Sequence, residues 1–165
     1  MIATRADLRL VLSGLRNGTS LGGGLVGEVL RDLTFTDGTQ ADGARAVNRM
    51  LYREDLTVLP GGSESIDLKL DEAPPDATLD LSTAKVLYCR AASTNSAELV
   101  VDFNQANGWN TEVNGTVSLP PGSEFLWIGI PTGPNVSPTA KIIHLSHLGG
   151  TGQVLEKLLV LGATA

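Results

Sequence analysis

Apolar and polar residues alternate with a period of two along much of the chain. The alternation is found in residues 7–12, 30–36 and 63–70, where leucine, isoleucine and phenylalanine take every second position. Such strands have one buried face and one solvent-exposed face, which is typical of antiparallel sheets. The period of two therefore predicts several β-strands.

Four further runs are apolar at nearly every position: 86–89, 99–101, 125–128 and 142–145. A short continuous apolar run bounded by turn residues indicates a strand that is covered on both faces. The cover is either the rest of the domain or a neighbouring subunit. These runs predict strands that are buried on both sides.

Glycine, proline and asparagine separate the predicted strands at regular intervals. Asn-Gly pairs supply the positive φ angles that tight hairpins need. The spacing predicts an all-β fold, either an antiparallel β-sandwich or a jelly-roll-like arrangement, in a single domain of residues 1–165. The turn signals are Asn17-Gly18, Asp37-Gly38, Pro60-Gly61-Gly62, Pro74-Pro75, Asn107-Gly108, Asn114-Gly115 and Pro120-Pro121-Gly122.

Two segments have a weaker pattern. Residues 41–54 contain good helix formers with Asp42 as a candidate N-cap, but the strand alternation continues through Leu56 and Val58. An extended run from 47 to 59 is therefore favoured over a helix. Residues 14–28 are rich in glycine with little periodicity, which predicts a loop or an arm that orders on a partner. Residues 1–28 are expected to form an extended or loop-like N-terminal arm.

Composition excludes several classes of protein. The 165 residues are 42% apolar and 18% charged, which is too apolar for a disordered chain. There is no apolar run of about 20 residues that would span a membrane. The net charge of −6 argues against general nucleic-acid binding, and one cysteine excludes a disulfide framework within the chain.

Charge is unevenly distributed. Residues 1–53 carry seven basic and five acidic side chains, whereas residues 54–165 carry five basic and 13 acidic ones. The asymmetry fits two differently charged surfaces, one of them toward a partner. A simple scatter of charge explains it equally well, so both interpretations stay open.

The sequence contains no recognisable catalytic or metal site. Ser82 and Lys85 match an S-x-x-K motif, but the motif leads into a predicted strand, which would turn the two side chains to opposite faces. His144 and His147 are three residues apart on another predicted strand, which puts them on opposite faces, and Cys89 is the only thiol. This is not the ligand spacing of a zinc site. The acidic residues 67–80 are predicted to form a solvated loop, because their spacing is not that of a calcium loop.

Trp109 is a candidate binding residue because it lies in a polar segment, QANGWN. An exposed tryptophan can anchor a protein interface or stack on a sugar. Asn107, Trp109 and Asn110 are therefore a candidate exposed binding loop, with local packing of Trp109 as the alternative. Trp127 is expected in the core.

Six segments follow one another along the chain: LTFTDGTQA (33–41), MLYRED (50–55), ESIDL (64–68), LSTAKVLY (81–88), LPPGSEFL (119–126) and EKLLVLG (156–162). In this order they resemble small structural proteins of tailed bacteriophages. Those proteins carry a TFTNGTGA-like turn, a strand with a hydroxyl or acidic residue followed by x-Leu-Asp-Leu, a Phe/Thr-Ala-Lys-Val strand, a Pro-Gly-Gly turn and a terminal ILG-like strand. The chain has Asp37 where the pattern favours Asn, and its segment 14–28 is richer in glycine.

The resemblance implies a non-enzymatic virion protein, a head decoration (cement) protein that binds the outer surface of a phage head. Its expected partners are copies of itself, as a homotrimer, and the major capsid protein, with neither nucleic acid nor membrane. It would be made in the host cytoplasm, need no cofactor and reside on the capsid surface. A head-fibre or tail-fibre module that binds a receptor or glycan is the alternative. Within the more basic segment, the capsid-facing candidates are Arg5, Arg9, Arg16 and Arg31.

Overall fold

The computed structural model describes residues 7–17, 24–34, 36–37, 39, 41, 46–70, 72–73, 77–109, 115–129 and 135–165. The chain divides into two compact units, Met1–Asp37 and Gly38–Ala165. None of the helical structure in these ranges is long and apolar enough to cross a membrane. The strands are β1 (Asp7–Asn17), β2 (Gly24–Thr34), β3 (Thr36–Asp37), β4 (Ala46–Val47), β5 (Arg49–Val58), β6 (Ser63–Asp67), β7 (Glu72–Ala73), β8 (Ala77–Thr78), β9 (Thr83–Ala91), β10 (Leu99–Asp102), β11 (Thr116–Leu119), β12 (Glu124–Ile128), β13 (Ile142–His147) and β14 (Gln153–Ala163).

The first unit contains an antiparallel pair, β1 with β2, in continuous register from Asp7 opposite Thr34 to Asn17 opposite Gly24. Of the two alternatives for residues 14–28, loop or extended arm, the loop is wrong at 14–17 and 24–28, which are extended strand, while 18–23 lie outside the described residues. The sequence pattern did not indicate these strands, because glycine has no side chain that could contribute to an alternation. The hydrogen bonds between strands need only backbone groups, so glycine can still take part in them.

The second unit is an antiparallel sandwich of two four-stranded sheets. The first sheet has the order β11-β10-β13-β6, and the second sheet has the order β12-β9-β14-β5. Along the chain, β5, β9, β12 and β14 enter the second sheet, and β6, β10, β11 and β13 enter the first. This connectivity is that of a jelly roll. The predicted all-β sandwich is confirmed, and β5 confirms the extended run in place of a helix.

Alternate residues of both sheets form one apolar core. In β13, for example, Ile143 and Leu145 are fully buried, and the residues between them are only partly covered. Three aromatic rings pack edge-on inside this core: the ring centroids of Trp109 lie 6.2 Å from Phe103 and 5.2 Å from Trp127. Trp127 is partly buried against the core, as expected. The sandwich is therefore held by apolar burial, and Trp109 is part of the buried core.

We expect Trp109→Ala to lower the free energy of unfolding by about 3–5 kcal/mol, because it removes a large buried side chain that packs on two other rings. Chemical denaturation followed by far-UV circular dichroism measures the change. Asn104→Ala, at an exposed position of the same loop, is the control and should cost less than about 0.5 kcal/mol. A loss below about 1 kcal/mol for Trp109→Ala would contradict its place in the core.

Candidate functional site

The outward residues of the second sheet form rows that run across its four strands. The strand register fixes these rows, since each residue lies opposite a partner on the next strand. Two rows are apolar and a third is charged. The apolar rows, which we call the apolar face, are Tyr52, Leu159, Tyr88 and Leu126, and Met50, Leu161, Val86 and Ile128.

The apolar face is unusual for a sheet that borders solvent. The edge strand β5 leaves Met50 and Tyr52 more than two-fifths exposed, and most other members of the face are partly exposed. Only Val86 and Leu161, in the middle of one row, are buried. An antiparallel sandwich normally has polar outer faces. The outer face of the first sheet fits this rule, with a row of Thr116, Asp102, His144 and Ser65.

A charged row of Glu54, Lys157, Arg90 and Glu124 borders the apolar face. Arg90 lies 3.6 Å from Glu124 and 3.2 Å from Glu156, so the signs along this border are balanced by partly exposed ion pairs. The hydroxyl of Tyr52 donates a hydrogen bond to Glu54, and this bond raises the pKa of Tyr52 above its ordinary value. The phenol therefore stays neutral, which suits a surface that loses water on contact.

The loops 59–62, 92–98, 120–123 and 148–152 lie together at one end of the jelly roll, and a polar network joins three of them, 59–62, 92–98 and 148–152. Gln153 is fully buried at its centre. Its side-chain oxygen accepts hydrogen bonds from the backbone N–H groups of Ser96 and Ala97, both at 2.9 Å. Its amide group donates to the Ser96 hydroxyl and to the Thr151 carbonyl. One side chain thus holds two of the loops together.

His147 fixes a third loop of this end. Its Nδ1 accepts the backbone N–H of Gly149 at 3.0 Å. The proton of the neutral ring is therefore on Nε2, which donates to the carbonyls of Val58 and Leu59, both at 3.0 Å. His147 is buried whereas His144 is on the outer side of β13, as predicted from their spacing.

Apart from Glu98, which ends the loop 92–98, this end of the molecule carries no formal charge. None of residues 58–63, 91–97, 119–123 and 147–154 is Asp, Glu, Lys or Arg. Two leucines project from it: Leu59 is 64% exposed and Leu148 is 102% exposed relative to an extended reference. We call these loops with their two leucines the uncharged end. A rigid, uncharged surface with projecting apolar side chains is suited to contact with another protein.

The candidate exposed binding loop is wrong for Trp109, which is only 1% exposed, and the alternative of local packing is confirmed. Its ring packs on Phe103 and Trp127, and its backbone N–H donates to the Ile142 carbonyl. The polar neighbours suggested an exposed side chain, but they occupy the turn while the tryptophan points into the core. Asn107 is exposed with a φ of 59°, and its carbonyl accepts two backbone hydrogen bonds. Asn110 lies outside the described residues.

The candidate capsid-facing arginines are distributed over the first unit. Arg9 and Arg16 belong to β1, and Arg31 belongs to β2. Arg9 lies opposite Asp32 in the register, and Arg31 lies opposite Leu10. Arg5 lies outside the described residues. Their common surface remains a prediction.

A serine–histidine contact that the sequence did not indicate lies on the first sheet. The hydroxyl of Ser65 is 3.0 Å from Nδ1 of His144, and Nε2 of His144 is 3.4 Å from the Ala106 carbonyl. The two residues are far apart in sequence and meet only because β6 pairs with β13. Asp102 lies opposite His144, but its carboxylate accepts hydrogen bonds from Asn104 and Gln105. It therefore does not orient the imidazole as a catalytic aspartate would.

The other candidate catalytic and metal-binding residues have structural roles. Lys85 is on β9, where it is nearly fully buried, and burial lowers its pKa. Asp67 pairs with Lys141 at 2.7 Å, and Asp80 pairs with Lys69 at 3.2 Å, so the lysines neutralise part of the acidic loop. In the described part of the chain, no group of three or more His, Cys, Asp or Glu residues is placed to hold a metal ion.

Comparisons with models of protein families, with curated proteins and with solved structures found no match. The apolar face and the uncharged end are the two candidate contact surfaces in the described part of the chain.

We expect Gln153→Ala to destabilise the protein by about 1–3 kcal/mol, because it removes a buried side chain and leaves two partly buried backbone N–H groups without their acceptor. Urea denaturation measures the free energy of unfolding. Gln105→Ala, an exposed glutamine on another loop, is the matched control and should cost less than about 1 kcal/mol. Equal effects of the two substitutions would show that the network does not hold the uncharged end together.

Proposed function

We propose that this chain is a head decoration protein of a tailed bacteriophage, which associates with copies of itself and binds the major capsid protein on the outside of the head. The observation that carries the proposal is the apolar face. A sheet that is apolar on both sides gains stability only when its outer side is covered as well. A decoration protein meets this condition, because its task is to cover a shell and to be held by it.

The fold and the sequence motifs add support of a weaker kind. Jelly rolls occur in viral capsid domains, but also in lectins and cupins, so the fold alone does not assign a function. The ordered motifs at residues 33–41, 64–68, 81–88 and 119–126 resemble phage structural proteins. Together they favour a virion protein over the other uses of this fold.

In this proposal the basic first segment and the apolar face have separate roles in binding the shell. The more basic first segment, with Arg5, Arg9, Arg16 and Arg31, faces the shell and speeds encounter with an acidic capsid lattice. The apolar face then supplies the close contact. Electrostatic attraction of exposed charges is screened by salt, whereas apolar burial is not, so the two contributions can be measured separately.

We expect Tyr52→Glu to weaken binding to phage heads by about tenfold or more, because a buried, unpaired carboxylate is costly to desolvate. The measurement is the occupancy of heads that were produced without the chain and then mixed with the purified protein. Thr116→Glu, at an exposed position of the polar sheet face, is the matched control and should bind normally. Absence of the chain from purified virions by mass spectrometry would refute the proposed function.

Charge reversal of Arg5, Arg9 and Arg16 to Glu should also lower occupancy, and more strongly at low salt than at high salt. The same titration of heads at low and high NaCl concentration measures this dependence. If occupancy does not change under either condition, the basic segment does not face the shell.

A further inference from the structure

We propose that the uncharged end is the surface at which copies of this chain meet around a symmetry axis. This inference rests on the self-association in the proposed function, and it assigns that association to a defined surface. The occupant is a second copy of the chain, seated against Leu59, Leu148 and the loops that carry them.

The distribution of charge favours a second copy at this end. Residues 38–165 carry 14 acidic and eight basic side chains, so the net charge of this unit makes its copies repel one another. The uncharged end is where two copies can approach with little charge to desolvate. Glu98, at the end of the loop 92–98, accepts a hydrogen bond from the Ser118 hydroxyl, and Glu64 lies on β6 opposite Leu145.

Leu59 and Leu148 supply neighbouring apolar contacts. His147 donates a hydrogen bond to the Leu59 carbonyl and directly precedes Leu148, so the two loop tips are joined at their bases. Two adjacent exposed leucines on one copy can pack on the same pair of another copy. A symmetric contact of this type uses one surface patch on every subunit.

The loops are also held in shape before any contact forms. The Gln153 network joins residues 96–97 to Thr151, and a Cβ atom at Gly149 would lie 2.8 Å from that of Ala97. Gly61 has a φ of +65°, which fixes its turn. Preformed loops lose little conformational entropy on association, so a small contact area can suffice.

Rotational symmetry gives this inference a direct test, because a residue near the axis meets its own equivalents. Leu148→Cys would then place two thiols close together. The native Cys89 does not interfere, since burial raises its pKa to about 12 and removes it from solvent. Leu70→Cys is the matched control: Leu70 is 66% exposed and lies in the turn after β6, away from the β5–β6 loop of the uncharged end.

Both variants are oxidised with copper phenanthroline at low protein concentration and resolved on a non-reducing gel. We expect the covalent dimer to form about tenfold faster with Leu148→Cys than with Leu70→Cys. The rate should rise with added NaCl, because salt screens the repulsion between the acidic copies. Equal rates for the two variants would overturn the inference.

A second measurement does not depend on a new cysteine. Light scattering after size exclusion should show an oligomer for the native chain and for Leu70→Ser. The double variant Leu59→Ser with Leu148→Ser should dissociate at a concentration about tenfold higher than the native chain or more. A native monomer, or an unchanged mass for the double variant, would overturn the inference.

The outcomes also separate this inference from the proposed function. Virions that contain the chain, with no cross-link at position 148, would refute the contact between copies and leave the decoration role intact. A rapid cross-link in a chain that is absent from virions would refute the decoration role only. A cross-link from position 148 to a different protein on the head would assign the uncharged end to that partner and overturn the inference.

Discussion

The pairing of β14 with both β5 and β9 is the constraint on which the rest of the structure depends. This central strand contributes Leu155, Leu158 and Val160 to the core. On its other side it presents Leu159 and Leu161 to the apolar face. Gln153, at its first position, organises the uncharged end. One strand therefore links the stability of the fold to both candidate contact surfaces.

The two apolar sides of β14 explain why its sequence does not alternate. A strand that is wet on one side must place a polar residue at every second position, whereas residues 158–161 are all Leu or Val. The same holds for residues 86–89 of β9, which pairs with β14. A continuous apolar run in an antiparallel sheet thus marks the place where a second covering layer is needed, and in this chain two such strands are neighbours.

The period of two and the turn residues predicted the strands and the sandwich, because both signals depend only on residues that are close together in the sequence. Register is not local, so the row of Tyr52, Leu159 and Tyr88 could not be read from the chain before the strands were paired. The contact between Ser65 and His144 was missed for the same reason. The prediction of an exposed Trp109 was wrong for another reason. Its polar neighbours form a turn, and only the packing against Phe103 and Trp127 shows which way the ring points.

The jelly-roll connectivity also determines where charged and uncharged segments lie in the molecule. Every loop that joins β5 to β6, β9 to β10, β11 to β12 and β13 to β14 returns to the same end, so four sequence segments without charge become one surface. The acidic turn with Asp67 and Asp80 follows β6 and is directed to the opposite end. Charged residues that are scattered along the sequence are therefore separated from the uncharged loops by the strand connectivity. In a chain of net charge −6, an end with so little charge is a place where repulsion between like copies would be weak.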